Sequence, residues 1–272
     1  MKHIIIKSII AIILFAGVGS CSEYNKVLKH GTNEAKKDSA LVYYEKDKYL
    51  QTVTLLEDVI PYYKLTPSGE NLYYVYCMAN YKMGDYYLSG YYWKRFINQY
   101  PTSKHVEEAT FHSALCAVNN SPEYHLDQTE TLNALDELQI FIDIYPESSR
   151  MDTCNQIMDR LNAKLEKKQY ENSKLYYKTE QYKAAVVAFE GTVEKYPNSI
   201  YKEEMLYLSV KSSYLLAINS IDTKKLERLK ATLKSYRTFV AAFPESDWIT
   251  DVDDIKDKTE KEIKNISDQP RG

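Results

Sequence analysis

Phe96-Ile-Asn-Gln-Tyr-Pro-Thr-Ser103, Phe141-Ile-Asp-Ile-Tyr-Pro-Glu-Ser148, Thr192-Val-Glu-Lys-Tyr-Pro-Asn-Ser199 and Phe239-Val-Ala-Ala-Phe-Pro-Glu-Ser246 are four versions of one phrase. Each reads as the end of a helix. An apolar pair and an aromatic pack the last turns, proline stops the helix, and serine two residues later can cap the next one. Half of the chain's eight prolines stand at this point. Eight residues before each of them are Trp93, Leu138, Phe189 and Tyr236, and twelve before are Ser89, Ala134, Ala185 and Thr232. A small residue followed four later by a large one puts both on one helix face, as two closely crossing helices require.

This small–large–proline pattern resembles the second half of the tetratricopeptide repeat. Tyr176 and then Gln181-Tyr182 extend the match backward into a first helix and a turn, and Gly84-Asp85-Tyr86 makes the same turn. An earlier unit, with Lys48-Tyr49, Thr52 and Leu56, fits as well but carries Lys64 where the proline belongs. Setting the five units at Tyr49, Tyr86, Thr131, Tyr182 and Leu229 gives spacings of 37, 45, 51 and 47. The plain repeat has 34 residues, so helices or loops are longer here, and Asn119 to Gln128 is the clearest insertion. Nine residues before the turn aromatic stand Ala40, Cys77 and Ser173, and five before it stand Tyr44, Tyr81 and Tyr177. The expected fold is all-α, a right-handed superhelical array of about five helix pairs, because a single pair cannot hide its apolar face. Thr250 to Ile266, with Val252, Ile255, Ile263 and Ile266 amid charge, reads as a polar end cap.

Composition agrees. Apolar residues at 44% and charged residues at 27% allow a core and a soluble surface. Eight glycines in 272 residues favour long helices over many tight turns. The formal net charge is −3, and the chain beyond residue 20 is more acidic by the charges of Lys2 and Lys7. No basic field invites nucleic acid.

Residues 1–20 read as an export signal. Lys2 and Lys7 precede the apolar run Ile9–Gly19, which is too short to span a bilayer as a helix. The run ends in Val18-Gly19-Ser20-Cys21, which is similar to a bacterial lipobox, so cleavage before Cys21 and acylation of Cys21 are expected. Several buried acyl chains give stable anchoring. Ser22, not Asp, follows the cysteine, which favours the outer membrane over the inner. Cys77, Cys116 and Cys154 remain, an odd number that makes no disulfide framework; burial as small apolar residues is expected. The expected layout is a signal at 1–20, a lipidated linker at 21–30, amino-terminal repeats at 31–118, and carboxy-terminal repeats with a capping helix at 119–272.

No catalytic motif is present: no Gly-rich phosphate loop, no G-x-S-x-G and no H-E-x-x-H. His112 and Cys116 have ligand spacing, but Cys116 lies in an apolar run and core packing is the better reading. The acids at 251–254 read as a solvent-facing helix start. The chain is expected to be a binding protein rather than an enzyme, with no cofactor, no metal, and only the covalent lipid on Cys21. The anomaly is tyrosine, with 26 copies. Tyrosine offers wide amphipathic contact with two torsions to freeze. By the repeat register Leu41, Tyr44, Tyr74, Met78, Tyr81, Tyr170 and Tyr177 point to the concave groove, and the loop Pro61-Tyr62-Tyr63 rims it.

The lipobox, the five repeats, the Tyr-Pro-x-Ser punctuation and the length together resemble the BamD family, the repeat lipoproteins of the β-barrel assembly machinery. Asp127-Gln128-Thr129 leading to Ala134, Leu138, Phe141 and Tyr145-Pro146 is similar to that family's third repeat. The resemblance covers roughly residues 21–265. It implies a lipid-anchored protein on the periplasmic face of the outer membrane. It implies that the carboxy-terminal repeats dock on the periplasmic domains of a BamA-like barrel subunit, and that the amino-terminal repeats receive unfolded outer-membrane proteins. Two other readings are a scaffold for pilus assembly or envelope division, and a glycan-binding lipoprotein, since aromatic grooves also stack sugars.

Overall fold

A computed structural model describes residues 23–64 and 66–268, so the export signal and Cys21 lie outside the described residues. The described chain is all-α, with no strand. A helical stretch at 23–30 (α1) replaces the linker expected there. It is followed by α2 (Asn33–Glu45), α3 (Tyr49–Tyr63), α4 (Gly69–Lys82), α5 (Tyr86–Gln99), α6 (Val106–Asn120), α7 (Thr129–Ile144), α8 (Met151–Lys178), α9 (Tyr182–Lys195), α10 (Lys202–Ile218), α11 (Asp222–Ala242) and α12 (Ile249–Asp268). The uneven repeat spacing has three sources. They are the 119–128 insertion, α8 with 28 residues, and α11 with 21 where α5 and α9 have 14.

The punctuation works as read, with one refinement. α5, α7, α9 and α11 end one residue before Tyr100, Tyr145, Tyr196 and Phe243, which take extended φ/ψ near −130° and 65° as C-caps. The following proline bars them from helical angles. Ser103, Ser148, Ser199 and Ser246 then accept a hydrogen bond from the backbone N–H two residues on, at 3.0–3.2 Å. Within each pair the small residues let the backbones close. The Thr52 hydroxyl donates to the Ala40 carbonyl at 3.3 Å, and Ser89 donates to that of Cys77 at 3.2 Å. Trp93, Leu138 and Phe189 are fully buried above them.

The turn between paired helices is also shared. Asp47, Gly84 and Glu180 occupy the same register and all have positive φ, at 56°, 82° and 60°. Each closes a first helix with N–H bonds back to the Tyr44, Tyr81 and Tyr177 carbonyls at 3.0 Å. The first repeat ends differently. Pro61, Tyr62 and Tyr63 are the last turn of α3 and not a loop. Thr66 ends the helix instead, donating both its N–H and its hydroxyl to the Tyr63 carbonyl. Gly69 passes so close that a Cβ there would lie 2.1 Å from the same oxygen.

The chain divides into two compact units, one ending at Met158 and one starting at Asp159. The boundary falls inside α8 and not at Asn119 as expected. The 119–128 loop joins α6 to its own partner α7, so it lies within a repeat. In the first unit Ala40, Leu55, Leu56, Leu72 and Tyr76 make one core cluster, and Cys77, Trp93, Phe96 and Cys116 make another. In the second unit Tyr170, Phe189 and Met205 form one cluster, and Val210, Phe239, Val252 and Ile255 close it against the end cap α12. Cys77, Cys116 and Cys154 are buried free thiols.

Candidate functional site

The punctuating serines do more than cap. Ser103, Ser148 and Ser199 also donate to Glu70, Glu107 and Glu166 at 2.6, 2.7 and 2.5 Å, tying each connection back to the first helix of the preceding pair. Four residues after each glutamate stands an aromatic, one helical turn on: Tyr74, Phe111 and Tyr170. The residue two after the serine lies over that ring. His105 lies 4.5 Å from Tyr74, the Arg150 guanidinium 5.2 Å from Phe111, and Tyr201 4.2 Å from Tyr170 with the planes 6° apart. Tyr207 and Trp248 repeat the stack at 4.7 Å. One rule of sequence thus covers an aromatic ring at each junction, with a second ring at three of them and the Arg150 guanidinium at the Phe111 junction.

At three junctions a carboxylate five residues after the serine meets the tyrosine. In the second unit the Tyr170 hydroxyl donates to Glu204 at 2.5 Å and the Tyr207 hydroxyl to Asp251 at 2.5 Å. The chain supplies a cation to both. Lys174 Nζ lies 2.7 Å from the Tyr170 hydroxyl, 2.6 Å from Glu204 and 5.1 Å from the ring centroid. Lys211 does the same at Tyr207 and Asp251, at 3.0 and 3.3 Å. Burial alone would raise Glu204, but its bonds from Lys174 and Tyr170 bring it below the usual range. Burial and Glu204 push Tyr170 up to about 12. Asp251, expected to face solvent, is therefore a hydrogen-bond acceptor in this junction.

The first unit builds the same corner without the lysine. Glu108 on α6 occupies the carboxylate position beside Tyr74, and the position of Lys174 and Lys211 is Met78. Burial and then the Glu108 charge raise the phenols of Tyr44 and Tyr74, so α2, α4 and α6, the first helices of three successive pairs, converge on one carboxylate. His105 Nδ1 lies 3.5 Å and His112 Nε2 3.9 Å from Glu108, both beyond ordinary hydrogen-bond length. His112 lies flat on Trp93, with 5.4 Å between centroids and 15° between planes, and touches Tyr81 at 4.8 Å. Burial lowers its pKa, which favours the neutral ring at pH 7.

The structure therefore brings Tyr44, Tyr74 and Tyr81 together and leaves each half-buried. Leu41 borders the adjoining core and Met78 is buried beneath, at 7% exposure, so it is floor rather than surface. Tyr170 is 4% exposed and belongs to packing in the second unit; Tyr177 pairs with Tyr182 there. Tyr63 leaves the cluster, donating to Glu34 at 2.7 Å beside Lys37, while Tyr62 is exposed on the end of α3. Glu108, His105 and His112 complete the corner, and only the serine-plus-five register in the sequence pointed to Glu108. A separate open cleft of about 790 Å³ lies in the second unit, lined by Tyr176, Tyr182, Ala184, Val187 and Leu216.

The model of a family described as "YfiO: Outer membrane lipoprotein" matches residues 33–229, most of the chain. The chain belongs to the YfiO family of outer membrane lipoproteins. Within the curated proteins it is similar to the outer membrane protein assembly factor BamD of Caulobacter vibrioides, 25% identical over 125 residues. That match spans 46% of this chain and 41% of the relative, so less than half of the relative's length is covered. A solved structure from Podospora anserina with nearly identical TPR-like repeats aligns with 78% of this chain and 96% of its own at 14% identity and a TM-score of 0.33. The fold of this YfiO-family chain rests on its own helix pairs. Its matched region contains the Tyr74–Glu108 corner and the second-unit cleft.

Proposed function

We propose that this chain is a scaffold of outer-membrane protein assembly, anchored by lipid on Cys21 to the periplasmic face of the outer membrane. It binds other proteins and catalyses no reaction. The second-unit cleft docks the periplasmic domains of a BamA-like barrel subunit, and the first-unit aromatic corner receives unfolded outer-membrane proteins. The observation that carries this reading is the convergence of Tyr44 from one repeat with Tyr74 and Tyr81 from the next, each half-buried, in a family of outer membrane lipoproteins. Preformed rings that keep one face available suit extended chains of changing sequence, because they add contact area at small entropic cost. The cleft supports docking because Val187, at 65% exposure, and Leu216 give it an apolar lining.

The test is a mild-detergent capture of the tagged full chain from membranes, with mass spectrometry of what it retains. A barrel protein with periplasmic repeat domains in about equal amount, accompanied by outer-membrane proteins, is the expected result. Pilus, division or glycan-uptake proteins in its place would overturn the assignment. Cys21→Ala is expected to move the chain into the soluble periplasmic fraction; unchanged membrane retention would contradict the lipid anchor.

A further inference from the structure

The repeats of this chain answer each other's chemistry. At both second-unit junctions where the carboxylate five residues after the serine meets a tyrosine hydroxyl, the chain also supplies an ammonium group. Lys174 and Lys211 each contact the hydroxyl, the carboxylate and the edge of the ring cloud. The first unit keeps the serine tether Ser103–Glu70, the stacked ring His105 on Tyr74, and the carboxylate Glu108, but has Met78 where the lysine would stem from. Met78 ends in the core and cannot reach the carboxylate with a charge.

The groups around this corner do not replace the missing ammonium. From α6 itself, His112 stands 3.9 Å from Glu108 against Trp93; from the preceding connection, His105 stands 3.5 Å away. Arg150 is committed to Glu107 at 3.3 Å and to the Phe111 ring. Lys82, at the end of α4, is exposed. From α2, Tyr44 brings a ring and no charge. Glu108 keeps about a third of its side-chain surface in contact with solvent, so the place is reachable.

From this we infer that the Tyr74–Glu108 corner is a binding site for a lysine or arginine side chain of an extended client segment, whose cation takes the place that Lys174 and Lys211 hold in the second unit. The inference rests on the client-receiving role proposed above and names the chemistry read at that surface. A cation there gains a charge-assisted bond to Glu108, a hydrogen bond to the Tyr74 oxygen, and a ring face beside it. Tyr44 and Tyr81, flanking the corner, hold the neighbouring apolar or aromatic side chains of the same segment. The site selects for a positive residue next to aromatic ones, a pairing that ordinary hydrophobic capture would not favour.

The probe is a ten-residue fluorescent peptide of alternating tyrosine and threonine with one central lysine, compared with the same peptide carrying acetyl-lysine. Both are titrated against the full soluble chain that starts after Cys21. The lysine peptide is expected to bind about tenfold tighter, as one charge-assisted bond with a ring contact implies. Glu108→Gln is expected to bring it down to the acetyl-lysine level without lowering the melting temperature. Met78→Lys, which supplies the chain's own ammonium, should do the same; if that buried change prevents folding, Glu108→Gln alone decides. Equal binding of the two peptides, or a lysine preference that survives Glu108→Gln, overturns the inference. If they bind equally and Tyr81→Ala weakens both, client reception stands and only the lysine reading falls. If neither peptide binds, both readings fall.

Discussion

The Tyr170–Glu204 corner and the Tyr74–Glu108 corner come from the same register of the same repeat, yet one is closed and the other open. In the second unit Lys174 fills the charge balance from within, and Tyr170 stacks flat on Tyr201 and is almost wholly buried. In the first unit Met78 withdraws into the core, Glu108 is left with two distant imidazoles, and Tyr44, Tyr74 and Tyr81 stay only partly buried. A repeat protein thus carries its own control. Where the chain supplies every partner, the tyrosine is a packing residue. Where one partner is missing and the rest of the frame is intact, the tyrosine is available to something else.

The largest expected effects lie beneath the two corners and should be equal if the frame is shared. Trp93→Ala and Phe189→Ala each remove a fully buried side chain at the same repeat position, so each should cost about 3–5 kcal/mol. Chemical denaturation followed by hydrogen exchange in α4 and in α8–α9 checks this. Loss confined to one unit by each change would fit two compact units, and equal loss in both units from either change would show that the units do not unfold separately.

The pH dependence should separate the corners. His112 has a folded pKa held below its ordinary value by burial, so the unfolded chain takes up its proton first. Stability of the first unit is therefore full above about pH 6.5 and falls as the pH drops below it. Glu204 has a lowered folded pKa, so its contribution is present above its ordinary value of 4.5 and is lost only as the pH falls below that. Hydrogen exchange at pH 7, 6 and 5 should show α4 and α6 loosening while α8 and α10 hold. The opposite order would show that the charge balance of the two corners is not as described.

The smallest effect is the most pointed. Lys174→Met gives the second unit the first unit's residue. Its bonds to Tyr170 and Glu204 are only partly shielded, with 27% and 31% of the paired side chains exposed, so the loss should be about 1 kcal/mol. The same change should raise the number of lysine-peptide sites on the chain from one to two. A stability loss with no new site would mean that the corner alone does not recognise a cation.

Much of this was legible in the sequence, for physical reasons that can be named. Tyr100-Pro101-Thr102-Ser103 and its copies encode a helix stop, a restricted residue before proline and a capping hydroxyl within four residues, so the helix ends could be placed closely. Ala40, Cys77 and Ser173 located the close approaches because only small side chains allow them. The length of α8 was not legible, since a second-helix start is marked by a turn and a long first helix by nothing except the absence of one. Pro61 misled for a related reason. With Tyr62 and Tyr63 it reads as a loop, whereas the helix runs on until Thr66 caps Tyr63. The register singled out Tyr44, Tyr74 and Tyr81, which the structure sets around one core cluster, but it could not tell Tyr170, with its lysine, from Tyr74 without one. That difference lies in residues 34 positions apart meeting across helices, as Tyr170 meets Glu204. The serine-plus-five carboxylates Glu108, Glu204 and Asp251 were a sequence signal that went unread because acidic residues at helix starts have a sufficient local explanation.

The most direct test of the account is site-specific photo-crosslinking in membranes from the native host. A photoreactive amino acid is placed singly at position 81, in the first-unit corner, and at position 187, in the second-unit cleft, of the full lipidated chain. Position 81 should trap newly exported outer-membrane proteins, and position 187 should trap a single barrel protein through its periplasmic domains. Clients trapped at position 187 and none at position 81 would contradict the division between an open client-receiving corner and a docking cleft.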